Sequence, residues 1–526
     1  MQYELIPGVI RYLFSLALAL LGCAAAANGM LWFESGRPNV QARQAVSILA
    51  SASEEGLRPE NYNAMSLRDA FAATGTGPAL PDESLTMLDA ALTTAMCRFL
   101  TDLHLGRVDP REIEENFSRV GSDKFDASSF LREAVRENRL IDAVRRAVPA
   151  APQYSELRRA LVRYRTLADN PETAALWREP LPPLPGRKIE PGESWTALPI
   201  LTQRLIALGD LPFYTPTPVL YEGDLVRGVE AFQSRHGLES DGIIGKRTFE
   251  QLNIAPPDRI RQIELTMERL RWTPFSPSPR LIVINIPGLT LQAYEIGRHD
   301  GARINQVLRM KVIIGNAEKT PTPLFDEKMR FIEFSPFWNV PPSIAQKELV
   351  PRLRHDPTYF SRQGFEFVSA DGQVASALSK ENLDKVMRNQ MRIRQRPGPL
   401  NALGDIKFVF PNNDNIYLHH TPTPRLFLRE RRDFSHGCIR VEDPVALARF
   451  VLQDVPEWTD EQIRDAMAKG VSSTLRLPEP VRVVIAYNTV EVGEDGRVYF
   501  FQDIYGQDHR LDETLRRTAG AQTPSC

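Results

Sequence analysis

Apolar residues recur at helical spacing through the first part of the chain and give way to short alternating runs in the second half. From Asp82 to Leu105, the residues Leu85, Leu88, Leu92, Met96, Phe99 and Leu103 fall three or four apart and stop at Gly106. That is the spacing of one helix face closed by a glycine. Gln41 to Ser53, Phe130 to Ala147 and Tyr154 to Leu167 repeat it, so residues 38–180 read as a helical scaffold, followed by the proline-rich linker Pro180–Pro191. Three shorter helices are predicted in residues 195–254: Ile200 to Leu208 before Gly209, Leu225 to His236, and Lys246 to Leu252 after a glycine-punctuated turn. Pro257 to Trp272 reads as a linking helix.

The pattern changes at Arg280. Leu281–Ile286, Thr290–Tyr294, Arg309–Ile314 and Arg330–Phe334 are β-branched or alternating runs separated by glycine and proline, and they predict a β-rich domain. A polar stretch of about 341–400 interrupts it, with helices expected at Ser343–Arg352 and Lys380–Arg392. This inserted helical capping segment is either a lid over a site or an insertion that only packs on the β domain. Strands resume at Ile406–Phe410 and Asn415–Leu418. Asp443 as N-cap and Pro444 at the first position open a helix to Leu452. Val481–Tyr487 and Val498–Gln502 read as strands, and roughly the last twenty residues as a loose polar tail. The fold class is therefore multidomain α+β. Its segments are a signal at 1–29, the scaffold at 38–180, the three-helix module at 195–254, the β domain at 278–475, and C-terminal strands and tail at 476–526.

Length and composition narrow this further. A chain of 526 residues is too long for one core. A net charge of −2 carries no electrostatic footprint for nucleic acid. The four cysteines, Cys23, Cys97, Cys438 and Cys526, show no metal-site spacing and no disulfide framework, and Cys97 reads as a buried free thiol in a helix. Arg11 followed by the apolar run Tyr12–Leu21 reads as an export signal, being shorter than the roughly 20 residues of a membrane span. Leu20-Leu21-Gly22-Cys23 resembles a lipobox, with Leu21 in place of the usual small residue. Lipidation at Cys23, cleavage within Ala24-Ala25-Ala26 and an uncleaved anchor remain open; each puts the rest of the chain outside the cytoplasm.

The candidate chemistry gathers in Ile416–Thr421 and Phe434–Arg440, where three of the eight histidines (His419, His420, His436) share a stretch with Cys438. A thiol becomes a strong nucleophile only as thiolate, and histidine is its usual base because it titrates near neutrality. Gly437 permits close approach of a substrate, and the amides of Gly437 and Cys438 are candidates for an oxyanion hole. No acidic residue stands ready to orient the base, which leaves that to a backbone carbonyl or a hydroxyl.

This stretch resembles the L,D-transpeptidase catalytic domain of YkuD type, whose motif runs His, a spacer, then Ser/Thr-His-Gly-Cys, an apolar residue and Arg or Asn. His419, Ser435, His436, Gly437, Cys438, Ile439 and Arg440 match it, and Leu418-His419-His420-Thr421 puts His419 rather than His420 in the place of the base. Phe337–Pro342 and Pro397–Gly404 are similar to signatures of the large periplasmic YcbB-like subfamily. Val229–Thr248 resembles the peptidoglycan-binding three-helix module, with Gly228 where alanine is common; a spacer that has lost binding is the other reading. The resemblance implies that Cys438 attacks the meso-diaminopimelate carbonyl of a donor tetrapeptide stem, that His419 moves the protons, and that no metal or cofactor is needed. It implies that His436 orients the loop or supports the thiolate, with a packed structural role as the alternative. Arg440 is then a carboxylate grip or a structural ion pair, and Trp338, Tyr417 and Ser435 are candidate lining residues, the two aromatics being equally at home in a core. The implied partners are peptidoglycan stems and glycan, with carbapenem-type β-lactams as covalent inhibitors and a membrane tether through Cys23. The implied location is the periplasm of a Gram-negative-type bacterium. The acceptor stays open between a second stem (a 3→3 cross-link), a lipoprotein lysine, a D-amino acid and water, and an inactive wall-binding scaffold is the competing class.

Overall fold

The computed structural model describes residues 29–76, 80–114, 117, 125–272, 278–297 and 304–518. The expected signal with Cys23, and also Cys526, lie outside the described residues. The described residues divide into two compact units: those within 29–114, 125–272 and 489–518 form one, and those within 278–488, with residue 117, form the other.

The first unit is helical where the apolar spacing requires it. Asp82–Leu105 is one helix that buries Leu85, Leu88, Leu92, Met96, Phe99 and Leu103. Phe130 to Ala147, expected as one helix, belongs to two, Ala127–Arg136 and Leu140–Ala147. Between them Asn138 takes φ +57°, a left-handed conformation that asparagine tolerates and a continuing helix does not. Cys97 is buried in its helix but disulfide-bonded, which corrects its reading as a free thiol.

The three expected short helices are present as Leu198–Leu208, Asp224–Arg235 and Lys246–Leu252, packed around Leu201, Leu205, Val229 and Phe232. Gln233 fixes the glycine turn between the second and third. Its carbonyl oxygen accepts the Gly242 N–H at 2.9 Å, and its amide donates to the Ile243 carbonyl at 2.9 Å. The end of the chain also belongs to this unit. Gln507–Thr518, expected as loose tail, is a helix that buries Leu511 and Leu515, and its Asp508 and Asp512 bind Arg269 and Arg261. Only two leucines mark its apolar face, and its many charges hid them.

The second unit is built on one sheet. Its strands are β1 (Arg280–Asn285), β2 (Thr290–Ile296), β3 (Ile304–Gly315), β4 (Phe325–Phe334), β5 (Ile406–Val409), β6 (Leu418–His419), β7 (Asp433–Ser435), β8 (Ile439–Val441) and β9 (Ser473–Ala486). The order is β7-β3-β8-β6-β5-β4-β9-β1-β2, and an added β2–β3 pairing closes the sheet on itself. β9 pairs with both β4 and β1, so the expected domain boundary at 475 falls inside a strand of this sheet. Immediately after β8, Asp443 caps the helix Pro444–Leu452 by accepting the Ala446 N–H at 2.9 Å, as its sequence indicates.

Between β4 and β5 the insertion forms a cap with its own core of Leu353, Phe360, Phe367, Val386 and Ile393. It is helical only in part, against expectation. Trp338–Asn339, Met391–Gln395, Phe365–Ser369 and Val374–Ala375 make a four-stranded antiparallel sheet beneath the helices Val350–His355 and Lys380–Met387. Strands of two to five residues are too short for a period of two to stand out in sequence.

Candidate active site

Two adjacent rows of paired residues cross β4, β5, β6 and β8. Ile332 pairs with Phe408, Phe408 with Leu418, and Leu418 with Ile439, and all four side chains are fully buried. Side chains alternate faces along a strand, so the next row along points the other way. That row is Glu333, Lys407, His419 and Arg440, paired in the same succession. Tyr417 and Cys438, two residues back along β6 and β8, share its face. The apolar row anchors the sheet in its core and thereby turns six functional side chains outward together.

His419 is buried, at 4% exposure. Its Nδ1 lies 2.5 Å from the His420 carbonyl oxygen, and the Leu403 carbonyl is a second backbone partner. A carbonyl only accepts, so Nδ1 carries the proton and Nε2 keeps the lone pair a base needs. Burial, and after it the Arg440 guanidinium, push the His419 pKa down to about 3, so the imidazole is neutral at ordinary pH. His420 faces away and bonds Asp405 through Nδ1 at 2.7 Å.

The stretch before β5 holds both histidines in place. Asn401, 1% exposed, donates to the Pro336 and Arg396 carbonyls at 3.0 Å each and accepts the Leu403 N–H at 2.8 Å. It thus ties the two stems of the cap to the segment whose carbonyl faces His419. Gly404, at φ +65°, leaves space that a Cβ would fill only by coming within 2.7 Å of the His420 Cβ.

The loop carrying the nucleophile is braced from within. Ser435, 3% exposed, accepts the Gly437 N–H at 3.2 Å and donates to the Cys438 carbonyl. Thr322 donates to the Gly437 carbonyl at 2.7 Å. Ser435 is therefore spent on loop shape rather than on lining a surface. The Gly437 amide is likewise committed, which corrects the expectation that it shares an oxyanion hole. Among the described residues no backbone bond engages the Cys438 N–H. Gly437 takes φ +110°, which only glycine adopts readily. His436 is exposed and does not turn to the sulfur; its Nε2 lies 2.8 Å from Glu348 Oε1 on the cap.

Cys438 is a half-buried free thiol whose Sγ donates to the Asn415 carbonyl at 3.6 Å. Burial raises its pKa, partly offset by the Tyr417 amide and hydroxyl, which bond the sulfur, and by Lys407 and Arg440. Arg440 is desolvated, its buried Nε has no partner among the described residues, and no ion pair described includes it. Trp338 lies in the cap sheet, with its ring 6.4 Å from that of Phe365. Lys407 and Glu333 were not singled out from sequence; Lys407 had one signal, its charge in an otherwise apolar strand, while Glu333 is one of five charged residues in its strand.

Three stretches of the chain match known family models. Residues 279–483 match the family model described as the L,D-transpeptidase catalytic domain, residues 197–252 that of a "putative peptidoglycan binding domain", and residues 24–161 that of a scaffold domain. The second unit is thus an L,D-transpeptidase catalytic domain of YkuD type, carried in one chain with a peptidoglycan-binding domain. A "putative L,D-transpeptidase" of Haemophilus influenzae is 31% identical over 256 residues, 48% of this chain and 49% of that protein. Epoxide hydrolase 1 of Sus scrofa is 25% identical over 85 residues, 16% of this chain and 19% of that protein. The chain spans about half the length, or less, of the curated relatives it matches.

Proposed function

We propose that this chain is a cysteine-dependent peptidoglycan L,D-transpeptidase that forms 3→3 cross-links. The observation that carries the reading is the shared outward face of Cys438 and His419, with the His419 Nδ1–H anchored on backbone oxygen and Nε2 left as base. The thiol proton passes to Nε2 as sulfur attacks the meso-diaminopimelate carbonyl of a donor tetrapeptide. The C–N bond to D-alanine breaks, and the leaving amine takes the proton from His419. A thioester on Cys438 remains. An acceptor amine then attacks it and gives its proton to His419; the C–S bond breaks, and the thiol is restored.

Because His419 is neutral and the thiol sits above its ordinary range, the resting pair is uncharged. Proton transfer accompanies attack instead of preceding it. The Cys438 N–H supports the oxyanion. Arg440, a desolvated cation with no carboxylate partner among the described residues, supports a role in gripping a stem carboxylate. The export signal expected from the sequence supports the periplasm as the place of this chemistry, with a membrane tether if Cys23 is lipidated. The peptidoglycan-binding domain match supports glycan as the partner, and carbapenems are expected to acylate Cys438. Incubation with disaccharide tetrapeptide and mass analysis of the products tests the reading. Cross-linked dimer supports it. Exchanged monomer assigns a D-amino acid as acceptor, tripeptide assigns water, and no turnover leaves a wall-binding scaffold.

A further inference from the structure

Lys407 stands beside His419 in the outward row, and nothing in the chemistry above uses it. Its Nζ lies 4.4 Å from the centroid of the Tyr417 ring and 3.2 Å from Glu333 Oε2, with side-chain exposures of 17% for Lys407 and 29% for Glu333. Three consecutive strands fix this arrangement, since Glu333 pairs with Lys407 and Lys407 with His419. Tyr417 neighbours Cys438 where β6 meets β8, its carbonyl accepting the Ile439 N–H at 3.1 Å, and its hydroxyl and amide favour a charged sulfur. A cation on the face of a phenol draws on the ring's negative quadrupole, holds the ring in place and makes its O–H a stronger donor.

We propose that Lys407, held by Glu333, is a positioning residue that stabilises the Cys438 thiolate through Tyr417. This rests on the reading of Cys438 as the nucleophile. As the S–H proton moves to His419, negative charge builds on Sγ. The Tyr417 hydroxyl meets that charge with a hydrogen bond, and the ammonium behind the ring favours it. The other charged or titratable groups on this face are His419 on β6, Arg440 on β8 and Glu333 on β4. His436 on the nucleophile's own loop is taken by Glu348 of the cap. Two cations, Lys407 on β5 and Arg440 two residues after Cys438, thus oppose the desolvation that raises the thiol. Glu333 keeps Lys407 in place and limits how far that cation lowers the thiol.

The test is the pH dependence of iodoacetamide alkylation of Cys438 in the full chain, followed by mass analysis of its peptide. Lys407→Met and Lys407→Gln are each expected to raise the midpoint by about one unit, so that alkylation near neutral pH slows about tenfold. Lys407→Arg keeps the charge and stays close to wild type. In a Tyr417→Phe background, Lys407→Met shifts the midpoint less, because only the direct field of the cation on the sulfur is left to lose; a shift as large as in the Tyr417 protein overturns the route through the ring. Melting temperature checks that each variant is folded, and the Met and Gln variants serve as independent copies of the charge removal. Profiles of both that superimpose on wild type overturn the proposal, as does an Arg variant displaced as far as Met. The transpeptidase reading fails separately: wild type that makes no cross-linked product from tetrapeptide leaves the alkylation result standing.

Discussion

His419 stands directly opposite Arg440 across the parallel strands β6 and β8, so the proposed base faces a desolvated cation. The cation resists a second positive charge on the imidazole, and burial resists it more. An imidazolium–thiolate pair is therefore not the resting state. The alkylation rate of Cys438 is expected to rise with pH through a single midpoint above the ordinary thiol range. A second, reactive plateau at acidic pH would reveal a preformed ion pair and contradict this.

The adjacent histidines should separate cleanly. His419→Gln removes the base and is expected to lower the rate of cross-linking about 10²- to 10⁴-fold. His420→Gln loses only the bond to Asp405 and should fall by far less. Steady-state rates on muropeptide substrate decide it, and equal losses would mean that His420 shares the proton chemistry.

Gly404→Ala should damage both stability and activity. The new Cβ would approach the His420 side chain and backbone from 2.7 to 2.9 Å, at a φ of +65° that alanine disfavours. Strain of this kind costs about 1–3 kcal/mol. Chemical denaturation should register that loss, and an unchanged midpoint would show that the turn relaxes freely.

Asn401→Ala removes four side-chain hydrogen bonds at the base of the cap, including the one that fixes Leu403. Unsatisfied buried groups cost about 1–3 kcal/mol each. The turnover rate is expected to fall more than substrate affinity, because the Leu403 carbonyl also orients His419. A variant with wild-type turnover would separate the cap stems from the base.

The three-helix module should weaken in acid. His236 is fully enclosed, with its ring stacked on Phe232 at 3.8 Å, and burial followed by Arg235 and Arg259 holds its pKa well below the ordinary 6.5. Below pH 6.5 the unfolded chain binds a proton that the folded one refuses, so stability is full above that pH and is lost as pH falls. The loss is about 1.4 kcal/mol per pH unit for such a group. Melting curves between pH 7 and 5 should show the slope, and His236→Leu should flatten it.

Much of the site was legible because its residue types are scarce. Cys438 and His419 declared themselves through one cysteine and three histidines in a short stretch. The cap strands, the tail helix and the partners of Lys407 did not. Lys407 gains its meaning from strand register, since Glu333 lies seventy-four residues away and meets it only after β4 and β5 pair. Ser435 matched the motif but is consumed inside its loop, because a motif records which residues recur and not where their hydrogen bonds go. Asn401 escaped for the same reason: its four side-chain partners are all backbone atoms, which carry no mark in sequence.

The central claim is a covalent acyl group on Cys438, and intact-protein mass after incubation with a carbapenem tests it most directly. Wild type is expected to gain one drug mass on the Cys438 peptide, and Cys438→Ala none. Wild type without an adduct, or an adduct that persists in Cys438→Ala, would contradict it.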